Sequence, residues 1–173
     1  MSHQTSALPI AYVFLRILIV LNWVFGACIL GLVVFSFINE PFLLKALKLA
    51  SVAEDPARIW GIRAIAGLGM VGIAFNFGIL KRLLAIVETV KAGDPFVAAN
   101  AFRLNAIAWF LLALQLLSLL IAGIAVAISR NGFEIKLDAG FSINGWLAVL
   151  LTFVLARVFA EGTLMREDLE GTV

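Results

Sequence analysis

Four long apolar runs without a charged residue constrain this chain more than any other feature. They cover residues 17–39, 64–80, 104–129 and 141–156. The hydrocarbon core of a bilayer is about 30 Å thick and takes roughly 20 helical residues to cross. In hydrocarbon every backbone polar group must be paired within its own segment, so such runs form helices. The sequence therefore predicts an all-α membrane protein with four transmembrane helices.

The composition fits a chain with little soluble mass. Of the 173 residues, 63% are apolar and 14% are charged, whereas a soluble domain is about half apolar and a quarter charged. We expect a single membrane domain over residues 1–173, with spans at about 10–38, 58–91, 97–129 and 142–163. Small residues recur four positions apart within the spans and would let the helices pack closely as a four-helix bundle.

The second span is expected to continue beyond its apolar run. The stretch KRLLAIVETVK at 81–91 keeps its apolar residues about one helical turn apart. Gly93, Asp94 and Pro95 then predict a break, because Gly often closes a helix and Pro suits the first turn of the next one. The second and third spans would form a long helical hairpin that is taller than the bilayer.

Two further segments have distinct patterns. Phe133, Ile135 and Leu137 alternate with charged residues, and this period of two predicts a short outer strand at 133–138. The chain ends in MREDLEGTV at 165–173, which we expect to be an acidic, frayed tail.

No set of residues typical of catalysis is present. Cys28 is the only cysteine and His3 the only histidine, and zinc or haem sites need clusters of these residues. We therefore expect no metal and no other cofactor. The chain also lacks a nucleophile–base set, an HExxH motif and a phosphate-binding loop, so we expect no enzymatic activity. Its 13 Lys and Arg residues are scattered, which argues against direct nucleic-acid binding.

Several polar side chains lie inside the predicted spans and need an explanation in hydrocarbon. Arg16 and Arg63 lie near span ends, where an arginine can extend its charge towards water. Deeper amides either hydrogen-bond between helices or line a polar path. The deeper amides are Asn22, Asn76, Asn105 and Gln115. A polar path would make the chain a small transporter or channel subunit, although no carboxylate lies deep in a span to carry protons or cations.

Charged residues gather where the second, third and fourth spans are expected to end on one side. Arg157 and Glu161 are four residues apart and so share a helix face. Antiparallel packing would bring them near Glu88, Asp94 and Arg103 as one cluster. This cluster could be a structural ion-pair network or a surface that docks a partner. The predicted docking residues are Glu88, Asp94, Arg103, Arg157, Glu161, Glu167 and Asp168.

Two stretches resemble an uncharacterised bacterial domain-of-unknown-function family of small four-span membrane proteins. They are GDPFVAANAFRLNAIAW at 93–109 and VFAEGTLMREDLEGTV at 158–173. The strand-like segment 133–138 also fits the family pattern. The matching positions are Gly93, Asp94, Pro95, Phe96, Asn100, Arg103, Leu104, Ile107, Ala108, Trp109, Arg166, Glu167 and Asp168.

The resemblance implies a function that the residues alone do not give. Members of that family often sit beside a small helix-turn-helix regulator of the XRE class, which would make this chain the membrane partner of a cytoplasmic transcription regulator. It also implies the bacterial inner membrane with both termini in the cytoplasm, whereas Lys and Arg are too evenly distributed to orient the spans. We expect a non-enzymatic sensor or regulator, with a transporter or channel subunit as the alternative. Whether the chain forms a homo-oligomer stays open, and a lipid-modifying enzyme is a distant third.

Overall fold

The computed structural model describes residues 7–42, 56–129 and 140–170. Nearly all of these residues lie in four α-helices. The helices are α1 Ala7–Ile38, α2 Pro56–Lys91, α3 Ala98–Ile128 and α4 Ile143–Glu170. The all-α prediction is confirmed for the described residues, none of which forms a strand. The strand predicted at 133–138 lies outside them and stays a prediction.

All four helices are long and apolar enough to cross a membrane. Their large apolar side chains point mostly outward, as Trp23, Phe102 and Ile143 show with exposed fractions of 61%, 74% and 74%. A soluble monomer rarely exposes large contiguous apolar patches, because water disfavours them. A surface of this kind is suited to hydrocarbon, and the four helices indicate a multi-pass membrane protein.

The helix ends follow the expected breaks. Pro56 is the first residue of α2, and α2 continues to Lys91 as predicted. Gly93 has a φ of 88°, which glycine adopts without steric cost. The Gly93 amide donates to the carbonyl of Val90 (3.1 Å), so the backbone closes α2 with a hydrogen bond.

The end of α4 differs from the prediction of a span that stops near residue 163 and a frayed tail beyond it. The helix continues to Glu170. Gly162 faces the ring of Phe96 so closely that a Cβ at Gly162 would lie 3.1 Å from it. Arg166 is ion-paired with Asp94. These contacts hold the last turns of α4 against the α2–α3 turn, and the expectation of a frayed tail is wrong for residues 165–170.

The chain divides into two compact units, and every helix except α4 contributes to both. The first unit contains Met1–Asn22, Phe75–Ala113 and Ile143–Val173. In this unit α2 contacts α3 through Phe75 and Phe110, whose ring centroids are 5.7 Å apart. Trp109 of α3 packs edge-on against Phe153 of α4 at 5.5 Å. Side chains buried in this unit include Ile79, Leu104, Ile107, Ala108, Val149 and Ala156.

The second unit contains Trp23–Ala74 and Leu114–Ser142. Here small residues allow close helix approach. A Cβ at Gly61 of α2 would lie 2.6 Å from Ile128 of α3, and one at Gly26 of α1 would lie 3.2 Å from Ile73 of α2. The prediction that small residues serve helix packing is confirmed at Gly61. At Gly31 and Gly123 no neighbouring helix of the described chain comes within 4 Å of an added Cβ.

Arg63, in the second unit, does not simply extend towards water as the sequence predicted. Its guanidinium donates to the carbonyl and hydroxyl oxygens of Ser36 (2.6 and 3.0 Å) and to Glu40 (2.8 Å). It also lies over the rings of Phe37 and Trp60. The Arg63 side chain is only 13% exposed. It therefore joins the end of α1 to α2 instead of ending in solvent.

Replacing Gly61 tests the packing in the second unit. Gly61→Ala places a methyl group on Ile128, and we expect a loss of about 1–3 kcal/mol in the free energy of unfolding. Gly67→Ala is the control, because no atom lies within 4 Å of its added Cβ; better helix propensity should stabilise this variant by up to about 1 kcal/mol. The measurement is unfolding by SDS in mixed micelles, followed by circular dichroism. Equal effects at the two glycines would contradict the packing.

Candidate functional site: the α2–α3 turn and the end of α4

A buried amide lies at the centre of the α2–α3 turn. The side chain of Asn100 has no solvent exposure. Its Nδ2 donates to the Thr89 hydroxyl (2.7 Å) and to the Pro95 carbonyl (2.9 Å). Its Oδ1 accepts a hydrogen bond from Arg103 (2.8 Å). Asn100 thus joins the end of α2, the turn and the start of α3 at one point.

The two side chains that hydrogen-bond to Asn100 are themselves anchored to the backbone of α2. The Thr89 hydroxyl donates to the carbonyl of Ile86 (2.7 Å). Arg103 donates from the same Nη1 to the carbonyl of Ala85 (3.3 Å). We call Thr89, Asn100 and Arg103 the turn network. Because each buried polar group finds partners, the network fixes the turn in one conformation.

The turn network is linked to the end of α4 by Asp94. Its backbone amide donates to the carbonyl of Thr89 (3.1 Å). Its carboxylate pairs with Arg166, and both side chains are nearly half exposed. Stacking of Phe96 and Phe159, with ring centroids 5.2 Å apart, supports the same junction from the apolar side. The motif residues at 93–104 therefore lie next to Arg166, where the α2–α3 turn contacts the end of α4.

The side chains of Arg157, Glu161 and Glu88 form no ion pair with this junction in the described part of the chain. Arg157 pairs with Glu161 at 2.8 Å on the surface of α4, with exposed fractions of 78% and 57%. Glu88 is exposed and forms no ion pair in the described part of the chain. Asp168 is exposed, whereas the side chain of Glu167 is not among those described. The sequence predicted one charged cluster. The described residues instead form the ion pairs Asp94–Arg166 and Arg157–Glu161, together with the turn network, whose central residue, Asn100, is uncharged.

A groove between α3 and α4 lies next to the Arg157–Glu161 pair. Its volume is about 510 Å³, and its walls are mainly apolar. We call it the α3–α4 groove. Its walls include Ala101, Phe102 and Asn105 of α3 and Ala156, Arg157 and Ala160 of α4. All of these residues belong to the first unit.

The intramembrane amides do not line a common interior path. Asn76 and Asn105 are exposed on the first unit, so neither side chain faces the interior of that unit. Asn22 is half-buried. Gln115, in the second unit, is also half-buried; its Oε1 is buried and accepts no hydrogen bond from the described residues. Gln115 is the amide that the structure leaves without an explanation.

Sequence reasoning missed the role of the turn network. Asn100 entered the prediction only as a position of the family pattern, and Thr89 did not enter it. The usable signal was an amide placed three residues before an arginine at the start of a helix, just after a Gly-Asp-Pro turn. An amide there can satisfy carbonyl and hydroxyl groups that the turn leaves unpaired.

The hydrogen bonds of the turn network hold the site in one arrangement. Its polar groups are paired with one another, and no nucleophile–base pair occurs among the hydrogen bonds of the turn network. The described residues contain no group of three or more His, Cys, Asp or Glu side chains that could hold a metal ion. Comparison with family models, curated proteins and solved structures finds no match.

Asn100→Leu tests the turn network. The substitution removes three hydrogen bonds and leaves the Pro95 carbonyl and the Arg103 guanidinium without these partners, and we expect a loss of about 2–4 kcal/mol in unfolding free energy. Asn105→Leu, an exposed position on the same helix, should change stability by less than about 0.5 kcal/mol. Unfolding by SDS in mixed micelles measures both. Similar losses for the two variants would rule out a special role for Asn100.

Proposed function

We propose that this chain is a non-enzymatic protein of the bacterial inner membrane that acts as the regulatory partner of a cytoplasmic helix-turn-helix transcription regulator. The proposed docking surface consists of the α2–α3 turn at 92–97 and the last turns of α4 at 161–170. The resemblance of these segments to the family pattern supports the choice of partner. The four apolar helices support the membrane location.

The observation that carries this proposal is the ion pair between Asp94 and Arg166. These residues are far apart in the sequence, and both belong to the recognisable motifs. Their pairing makes one continuous surface from the turn and the end of α4. The turn network holds one side of this surface rigid, so a partner would lose little entropy in ordering it.

The charges around this surface can select a partner. Arg157, Glu161 and Asp168 are exposed on α4, the helix that carries Arg166. Exposed charges of both signs affect the rate of encounter and the orientation of a partner more than its affinity. Docking at this surface can regulate the partner if a signal received by the membrane protein changes how tightly the α2–α3 turn and the end of α4 are held together. The transporter or channel alternative has less support, because Asn76 and Asn105 are exposed and so do not form a buried polar path within the first unit.

Cysteine labelling tests the orientation. In a Cys28→Ser background, Glu88→Cys should react with a membrane-impermeant maleimide in inverted membrane vesicles and be protected in intact spheroplasts, because the docking surface faces the cytoplasm. Ser142→Cys, just before α4 at its opposite end, is the control and should show the reverse pattern. Reaction of Glu88→Cys in spheroplasts would place the docking surface outside and contradict the proposal.

Charge reversal tests the docking. Arg166→Glu sets two carboxylates against each other and should weaken co-purification with the helix-turn-helix regulator about tenfold. The swap Asp94→Arg with Arg166→Asp re-forms the pair and should restore much of the binding. Lys81→Glu is an exposed control on α2 and should bind as the unaltered chain does. Unchanged binding of Arg166→Glu would disprove docking at this surface.

A further inference from the structure

The α3–α4 groove has an apolar floor and one charged pair at its side. Ala101, Ala156 and Ala160 are among its walls, and their small side chains leave the space between the two helices open. Arg157 donates from Nε to Glu161 at 2.8 Å. Its two Nη groups have no partner in the part of the chain that the structure describes. The groove therefore offers the two free Nη groups of Arg157, with two N–H donors each, beside a carboxylate.

The rim of the α3–α4 groove is apolar and exposed on both helices. Phe102 and Leu164, which belong to its walls, have exposed fractions of 74% and 60%. Val158, next to Arg157, is also largely exposed. A site for a soluble protein usually has a polar rim around its apolar centre. An outward apolar rim instead favours an occupant that comes from the membrane.

The charged pair lies at the edge of the uncharged zone of both helices. Arg157 directly follows the apolar run at 141–156, and Arg103 directly precedes the run at 104–129. In a bilayer this edge corresponds to the polar headgroup region, which adds several ångströms on each side of the hydrocarbon core. The α3–α4 groove thus extends from the depth of the headgroups into the depth of the acyl chains.

We propose that the α3–α4 groove binds a glycerophospholipid with a primary-amine headgroup. The phosphate accepts hydrogen bonds from the free Nη groups of Arg157, which suit phosphate oxygens. The ammonium group lies against Glu161. An acyl chain fills the space beside Phe153 and Ala156, which lie within the uncharged zone of α4. The proposal depends on the helices crossing a membrane, and it does not depend on the regulator.

Native mass spectrometry of the purified full chain, delipidated and supplied with one lipid at a time, tests the headgroup preference. Phosphatidylethanolamine should bind about tenfold more tightly than phosphatidylglycerol, since only the amine lipid also pairs with Glu161. Arg157→Gln should weaken phosphatidylethanolamine binding about tenfold, and Glu161→Gln should remove the preference over phosphatidylglycerol. Lys81→Gln removes an exposed charge outside the groove and should change neither. Equal binding of both lipids, or an Arg157→Gln variant that binds as the unaltered chain does, would overturn the proposal.

Filling the groove tests its location separately. Ala160→Trp places a large ring between α3 and α4 and should abolish the bound lipid, whereas Val158→Trp on the outward face of α4 should retain it. Equal lipid retention by the two variants would place the lipid elsewhere. A dimer that Ala160→Trp alone dissociates would show that a second copy occupies the groove, which would also overturn the proposal. Because the regulator is absent from both experiments, their failure would leave the docking surface untouched.

Discussion

The full hydrogen bonding of one buried amide determines how the first unit is arranged. Asn100 has no contact with solvent, so its donors and acceptor must be satisfied by protein groups. They are satisfied by Thr89, Pro95 and Arg103 together, which is possible only if α2, the turn and α3 keep one geometry. That geometry places Asp94 within reach of Arg166, and their ion pair positions the end of α4 against the turn.

The remainder of the protein obeys a different constraint, because its outward side chains are apolar. In such surroundings burial of apolar groups does not favour helix association, and close van der Waals contact must do so. The contacts of Gly61 with Ile128 and of Gly162 with Phe96 have this character. Directional hydrogen bonds, such as those of Arg63 to Ser36 and Glu40, then fix the positions of the helix ends.

The sequence predicted the helices well because their length and lack of charge follow from the solvent alone. It also predicted the break at Gly93, where local backbone preference decides. It also placed Arg157 and Glu161 on one helix face, and the two form an ion pair. It could not predict the partners of Arg63 and Arg103 on neighbouring helices, because only tertiary packing brings these partners close. The length of α4 was missed for the same reason. Its last turns depend on Phe96 and Asp94, which local pattern does not reveal.

The exposure of the Asp94–Arg166 pair has a consequence for how the first unit responds to dissolved salt. Both side chains are nearly half exposed, so mobile ions screen their attraction, over a Debye length of about 8 Å at physiological ionic strength. The Asn100 amide is buried and neutral and is therefore insensitive to salt. A higher salt concentration would weaken the hold on the end of α4 more than the hydrogen bonds of Asn100, which makes the ion pair the salt-sensitive part of the junction.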